Sequence, residues 1–401
     1  MPIPPMNPAA RGPGTIAETI RNFFQIISTG LPFIKRCLPQ AGLWLLCAIG
    51  SNVSAALVPQ MFGVLTSELS SAGQSLAPAV TSPQLLRTYG FWVLLSIGAA
   101  LLSFEVPVGG VVHDIADGYR DANEVATRPG SRFAIMVPFA GRIGDAHYRF
   151  DGHAQDLQPG VTGSDRASRH GFVRNTDFEI AALTMDDRGA HVTFSTSAIR
   201  PQPGYPHAID LAVTFTLDAG GITLDVSMRN VGDSAAPCFF GWHPYFRVGN
   251  NALAGSTVDG WQLQIPAQTL IRTDVDLIAL PGAAAYVPLD DAPAFDYREA
   301  RLIGNTILDH EYTDLHAESD GHIRTRLRDP ASGLAIAVWQ ERGVMHAFTA
   351  DTAARDARRA VALEPMECMA DAFNRSEWQD AIRLEPGAER RFRCGVEVLL
   401  P

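Results

Sequence analysis

The chain has five cysteines in 401 residues: Cys37, Cys47, Cys238, Cys368 and Cys394. Their number is odd, and no CxxC or Cys/His ligand spacing occurs. That argues against a disulfide framework and a structural zinc site, and predicts a reducing compartment for the bulk of the chain. Basic residues are also scarce, 32 against 43 acidic, for a net charge of −11. No Lys/Arg-rich run appears, so nucleic acid is not an expected partner, because phosphate backbones demand clustered Lys and Arg. There is no HExxH, no GxSxG and no GxxxxGK[ST]. Metalloprotease, serine-hydrolase and P-loop chemistry lose their usual signatures. No cysteine sits in an obvious electropositive setting, which disfavours a thiolate nucleophile. No cofactor is expected.

Charge is nearly missing from residues 1–103. Gly42 to Leu65 carries none, although Ser51, Asn52, Ser54, Pro59 and Gln60 interrupt its apolar character. It is long enough to cross a hydrocarbon core of roughly 30 Å. A second run, Tyr89 to Phe104, is marginal. The sequence therefore predicts a helical segment over 1–103 with two candidate membrane crossings, set against the alternative of buried helices in a soluble domain. Membrane association would run through residues 42–104. Lys35 and Arg36 precede the first run, and the positive-inside tendency puts them, and everything after residue 104, in the cytoplasm at the inner face of the membrane. No signal peptide of the usual form is present. Residues 31–103 resemble, in hydropathy alone, the first membrane helices of an ABC-type exporter.

From residue 104 the texture changes. Ile209, Leu211, Val213, Phe215 and Leu217 alternate with polar or small residues. After the turn at 219–221, Ile222, Leu224, Val226 and Met228 do the same. This is a period-2 hairpin with one face buried. "LAIAVW" (334–339) and "RFRCGVEVL" (391–399) repeat the pattern, and turn signals recur. Residues 104–401 thus predict an all-β fold, a large twisted antiparallel β-sandwich.

Several polar residues interrupt its apolar or turn-like stretches: Arg142 in "VPFAGRIGD", His170 in "RHGFVRN", His243 in "FFGWHPYF", Asp309 in "TILDHEYTDL" and Glu364 in "VALEPMECMADAFN". Each has an ordinary structural explanation: a strand-end charge, a loop histidine, a packed imidazole, a turn cap, an internal ion pair. Together they suit a polyol. Carboxylates accept bonds from sugar hydroxyls, and Arg and His donate to sugar oxygens. Burial raises a carboxyl toward the range a general base needs, and histidine titrates near neutrality. Two-carboxylate glycoside hydrolysis by Asp309 and Glu364 is a second possibility.

The order of these stretches resembles the aldose 1-epimerase (mutarotase) family from about Val106 to Pro401. "VPVGGVVHDI", "VPFAGRI", "HGFVRN", "YPHAIDLAVTFTL", "GWHPYFRV", "ILDHEYTDL" and "LEPMECMADAFN" are similar to successive family elements, with Gly141 where the family usually has Asn. The resemblance implies a galactose mutarotase-like sandwich and interconversion of the α and β anomers of a free aldose such as glucose or galactose. It implies Glu364 as the base at the anomeric hydroxyl and His243 as the acid at the ring oxygen. His170 and Arg142 look like substrate-binding groups, and Asp309 like an acceptor for sugar hydroxyls. Trp242, Tyr245 and Phe246 are expected to hold the imidazole and to wall the sugar site. Two alternatives remain: a non-catalytic carbohydrate-binding module, and a hexose-6-phosphate 1-epimerase, which needs basic residues at the cleft rim such as Arg174, Arg247 and Arg375.

Overall fold

The computed structural model describes residues 93–399, apart from 97–99, 109–110, 164–165, 167, 187–188 and 250–256. Two large antiparallel sheets carry the fold. One has nine strands, in the order Arg301–Leu302, Gln262–Gln264, Ile323–Arg328, Ala335–Gln340, Glu389–Leu399, Gly221–Asn230, Ile209–Asp218, Ala190–Ile199, Glu179–Met185. The other runs Tyr286–Pro288, Thr269–Ile271, Asp309–Thr313, Val344–Phe348, Val361–Met366, Gly241–His243, Ala134–Met136, with Tyr245–Phe246 also on Val361–Met366. Side chains of both sheets meet in one apolar core that includes Val213, Leu224, Val226, Met345, Ala347 and Leu363. The alternation read from 209–228 is the observed burial: Ile209, Leu211, Val213 and Phe215 point inward, paired with Asn230, Met228, Val226 and Leu224.

The second apolar run departs from expectation. Its described residues form two antiparallel strands, Val93–Ser96 and Ala100–Val108, with Val93 opposite Phe104 and Ser96 opposite Ala100. Neither is a membrane helix. Ala100, Leu101, Phe104 and Val106 are buried in the core. A short continuous apolar run reads the same for a buried strand as for a helix, because periodicity is absent in both. Ala100–Val108 also runs through the domain boundary expected at residue 104, and pairs onward with Val111–Asp114. The first run, Gly42 to Leu65, and the remainder of the exporter-like stretch up to residue 92 lie outside the described residues. Among the described residues no helix is long and apolar enough to cross a membrane.

Candidate active site

Two prolines open the smaller sheet where the site lies. Val361–Met366 pairs with Gly241 at Met366, and pairing resumes with Tyr245 at Ala362 and Phe246 at Val361. Between these points stand Pro244 and Pro365, neither of which can donate a ladder hydrogen bond. The regular pairing lapses there, and His243 and Glu364 face each other across the gap. His243 Nε2 lies 3.4 Å from Glu364 Oε1. Both are buried, at 6% and 3% exposure. The imidazole lies parallel to the Tyr245 ring, with centroids 5.1 Å apart. Tyr245 is in turn capped by the Arg132 guanidinium, 4.5 Å from its centroid. Trp242 and Phe246 depart from expectation: they pack with Phe133 in the core, fully buried, and do not wall the site. Successive strand residues point to opposite faces, so Trp242 cannot share the face of His243.

His170 reaches His243 from a turn. Its φ is +61° and that of Gly171 is +64°, and a Cβ at residue 171 would meet Val137 O at 2.1 Å. Only glycine fits there. The turn sets the His170 ring 5.1 Å from that of His243, edge to face. The His170 backbone N–H donates to Gly141 O. Gly141 has φ +64°, and a Cβ there would lie 2.4 Å from that of Ala370, so the chain has no room for the family's Asn in this conformation. Arg142 follows on Arg142–Ile143, paired with Ser168–Arg169. A groove of about 570 Å³ is lined by Arg142 and Arg174 and by the residues on either side of His170; Glu364 and His243 are not part of its lining.

The remaining carboxylate brings a residue that sequence reasoning missed. His346, on Val344–Phe348, stands directly opposite Glu364 in the antiparallel register. Its Nε2 is 3.0 Å from Asp309 Oδ1, and its Nδ1 is 3.9 Å from Glu311 Oε1. Glu311 is buried and accepts the Ala370 N–H on both oxygens. Asp309 is thus in the constellation, but tied to His346. The signal was available: "VMHAF" is an apolar strand interrupted by one polar residue, as is "VALEPM".

Burial dominates the electrostatics. It pushes the Glu364 carboxyl up to about 8; His346 opposes this, while Asp309 and Glu311 add to it. Burial pushes His243 down to about 3, helped by His346. His170 is held well below its ordinary range by burial and by His243. Burial alone would also lower His346, but Glu364, Asp309 and Glu311 outweigh it and hold the imidazole well above the usual range. Asp309 is lowered: burial raises it, but the His346 hydrogen bond and charge, with Arg142, prevail. Burial and the neighbouring Arg169 lower Arg142. Over the neutral range burial favours neutral His243 and His170 and a proton on Glu364, while Asp309 and Glu311, the anions that then remain beside His346, favour its imidazolium.

The arginines considered for a phosphate do not converge. Arg247 pairs with Asp114 and Asp117, Arg375 binds Glu377 and the Leu280 and Gly282 carbonyls, and Arg174 donates to Ser131 Oγ. The hexose-6-phosphate alternative is not favoured, because two of its three expected cations are already committed elsewhere.

A family model for aldose 1-epimerase matches residues 92–397, and the chain belongs to that family. Its relatives are distant. An uncharacterised Escherichia coli K12 protein, YihR, is 27% identical over 64% of this chain and 76% of its own length. Human galactose mutarotase is 26% identical over 71% of this chain and 79% of its own. Among solved structures, an aldose epimerase homologue from C. elegans superposes with a TM-score of 0.64 at 19% identity, covering 76% of this chain and 94% of that one. A galactose mutarotase-like protein from Clostridium acetobutylicum gives 0.64 at 12%, covering 78% and 95%. At such identities the structures establish the shared mutarotase fold alone.

Proposed function

We propose that the protein is an aldose 1-epimerase that interconverts the α and β anomers of a free aldose by acid/base ring opening and closure. The observation that carries this reading is the contact of buried Glu364 and His243 at 3.4 Å. Burial raises the carboxyl to about 8 and lowers the imidazole to about 3, which leaves the pair one proton near neutrality. Opening a hemiacetal ring removes a proton from the anomeric hydroxyl and adds one to the ring oxygen. A pair holding a single proton supplies both transfers: one member takes a proton as the other gives one. Rotation about C1–C2 and closure with exchanged roles complete the anomer change. Glu364 is the group assigned to the anomeric hydroxyl and His243 the group assigned to the ring oxygen. The resting proton lies on Glu364, so it must pass to His243 as substrate binds. Their contact makes that a single short transfer. Each proton transfer is worth on the order of 10²–10⁴ in rate. Asp309 offers an acceptor, and Arg142 and His170 offer donors, to sugar oxygens.

The test is NMR or polarimetry of freshly dissolved α-D-glucose and α-D-galactose. Accelerated approach to anomeric equilibrium is expected, and Glu364→Gln should reduce it at least a hundredfold with the fold intact. Sugar binding without acceleration would make this a binding module; full activity in the variant would remove Glu364 from its role. Because the active pair holds one proton, kcat/KM should be flat through neutrality and fall above about pH 8, where Glu364 ionises while His243 remains neutral.

A further inference from the structure

The His346 ring presents both of its nitrogens to carboxylates, Nε2 to Asp309 at 3.0 Å and Nδ1 to Glu311 at 3.9 Å. Nε2 hydrogen-bonds to Asp309, and Nδ1 stands at ion-pair distance from Glu311, beyond hydrogen-bond reach. Two carboxylates flanking one buried ring favour its imidazolium form. The ring belongs to the residue directly opposite Glu364 on the neighbouring strand, a pairing that leaves Cβ atoms roughly 4.5–5.5 Å apart on one face. The groups around Glu364 can be taken element by element. Asp309–Thr313 contributes Asp309 and Glu311, both anions, and His310, whose ring packs on Phe295. The 241–246 stretch contributes neutral His243 and the Tyr245 phenol. The 170 turn contributes neutral His170. The charge of Arg142 acts on Asp309, and that of Arg132 is committed to buried Asp117. Among the described residues, His346 is the one cation that presses on Glu364 from an adjacent strand.

Two other anions crowd Glu364, and a third negative charge beside them is costly when buried. Yet the reaction requires Glu364 to give up its proton in every turnover. We propose that His346 is a positioning residue of this reaction: clamped as an imidazolium by Asp309 and Glu311, it faces Glu364 and offsets the charge that Glu364 acquires as its proton leaves. The same clamp fixes Asp309 for the sugar. His346 touches neither reacting oxygen in this scheme; it acts through Glu364. The inference rests on the epimerase reading for its purpose, while its electrostatic content stands apart from turnover.

The experiment therefore has two readouts on the full chain. The first is the pH profile of anomer exchange for the parent, His346→Gln and His346→Lys. Loss of the cation leaves Glu364 holding its proton more tightly. In His346→Gln the alkaline limb should move up by about one pH unit or more, and kcat near pH 7 should fall about tenfold. His346→Lys should restore the limb toward that of the parent. A profile scaled down without displacement of its limb would mark a purely structural role and overturn the proposal. The second readout is the carboxyl ¹³C titration of Glu364, assigned by its loss in Glu364→Gln. Its midpoint should rise by a similar amount in His346→Gln and return in His346→Lys. An unmoved midpoint overturns the proposal even if the protein is active. A moved midpoint in a protein inactive toward every aldose leaves the charge relation standing and removes the epimerase reading. If His346→Gln fails to fold, the lysine variant decides: a displaced midpoint there contradicts the charge argument.

Discussion

Glu364 is a residue maintained against stability. Its carboxyl titrates near 4.5 when unfolded and near 8 in the fold. Between those values the native state keeps a proton that the unfolded chain releases, so its contribution to stability falls as pH rises through that window. His243 has the opposite sign. Its ordinary value of 6.5 drops to about 3, so the native state refuses a proton the unfolded chain takes up, and stability is lost as pH falls from 6.5 to 3. For these two groups stability is greatest between about pH 4.5 and 6.5. Glu364→Gln should leave stability near pH 4.5 unchanged and raise it near pH 8 by about 4 kcal/mol, read by urea denaturation at the two pH values. The raised value was legible in outline, since a glutamate behind Val361, Ala362 and Leu363 is poised for burial. That the resting proton lies on Glu364 was not, because it depends on which neighbours the fold brings up.

Among the elements, Ala100–Val108 separates the two readings of the apolar run best. Phe104 is fully buried, its N–H donates to Asp114 Oδ1 at 2.9 Å, and its carbonyl accepts the Ile115 N–H. Phe104→Ala should cost about 3–5 kcal/mol by deletion of a buried ring, measured by denaturant unfolding, with little effect on the anomer exchange of the remaining folded protein. A change of under 1 kcal/mol would mean the strand does not contribute to the core. The alternating strands 209–218 and 221–230 were readable because each has one wet face. Ala335–Gln340, where "LAIAVW" led to the expectation of one wet face, is buried throughout, as is Val361–Met366, so only length and flanking turns distinguish them from helix.

For the whole molecule, the family match begins at residue 92 and the hairpin at Val93. A chain shortened to begin at residue 92 should unfold in one cooperative transition and retain anomer exchange. One beginning at residue 104 loses Ala100 and Leu101 from the core and the strand paired with them. It should melt at least several degrees lower by calorimetry. Equal melting temperatures would show that the hairpin is dispensable.

Much of this protein is local in origin. Period-2 patterning and turn residues determined an all-β fold over residues 104–401, and the order of a few short motifs its likeness to the epimerase family, with Glu364, His243, His170, Arg142 and Asp309 as site candidates. Each motif is a short stretch of neighbouring residues, and their order along the chain needs no knowledge of how they pack. Only the tertiary structure decided the rest. Strand register set His346 opposite Glu364, two prolines opened the sheet between Glu364 and His243, and pairing turned an apolar run into two strands of a separate three-stranded sheet. Register, burial and charge proximity join residues tens to hundreds of positions apart. The proton affinities on which the chemistry depends arise from those long-range neighbours.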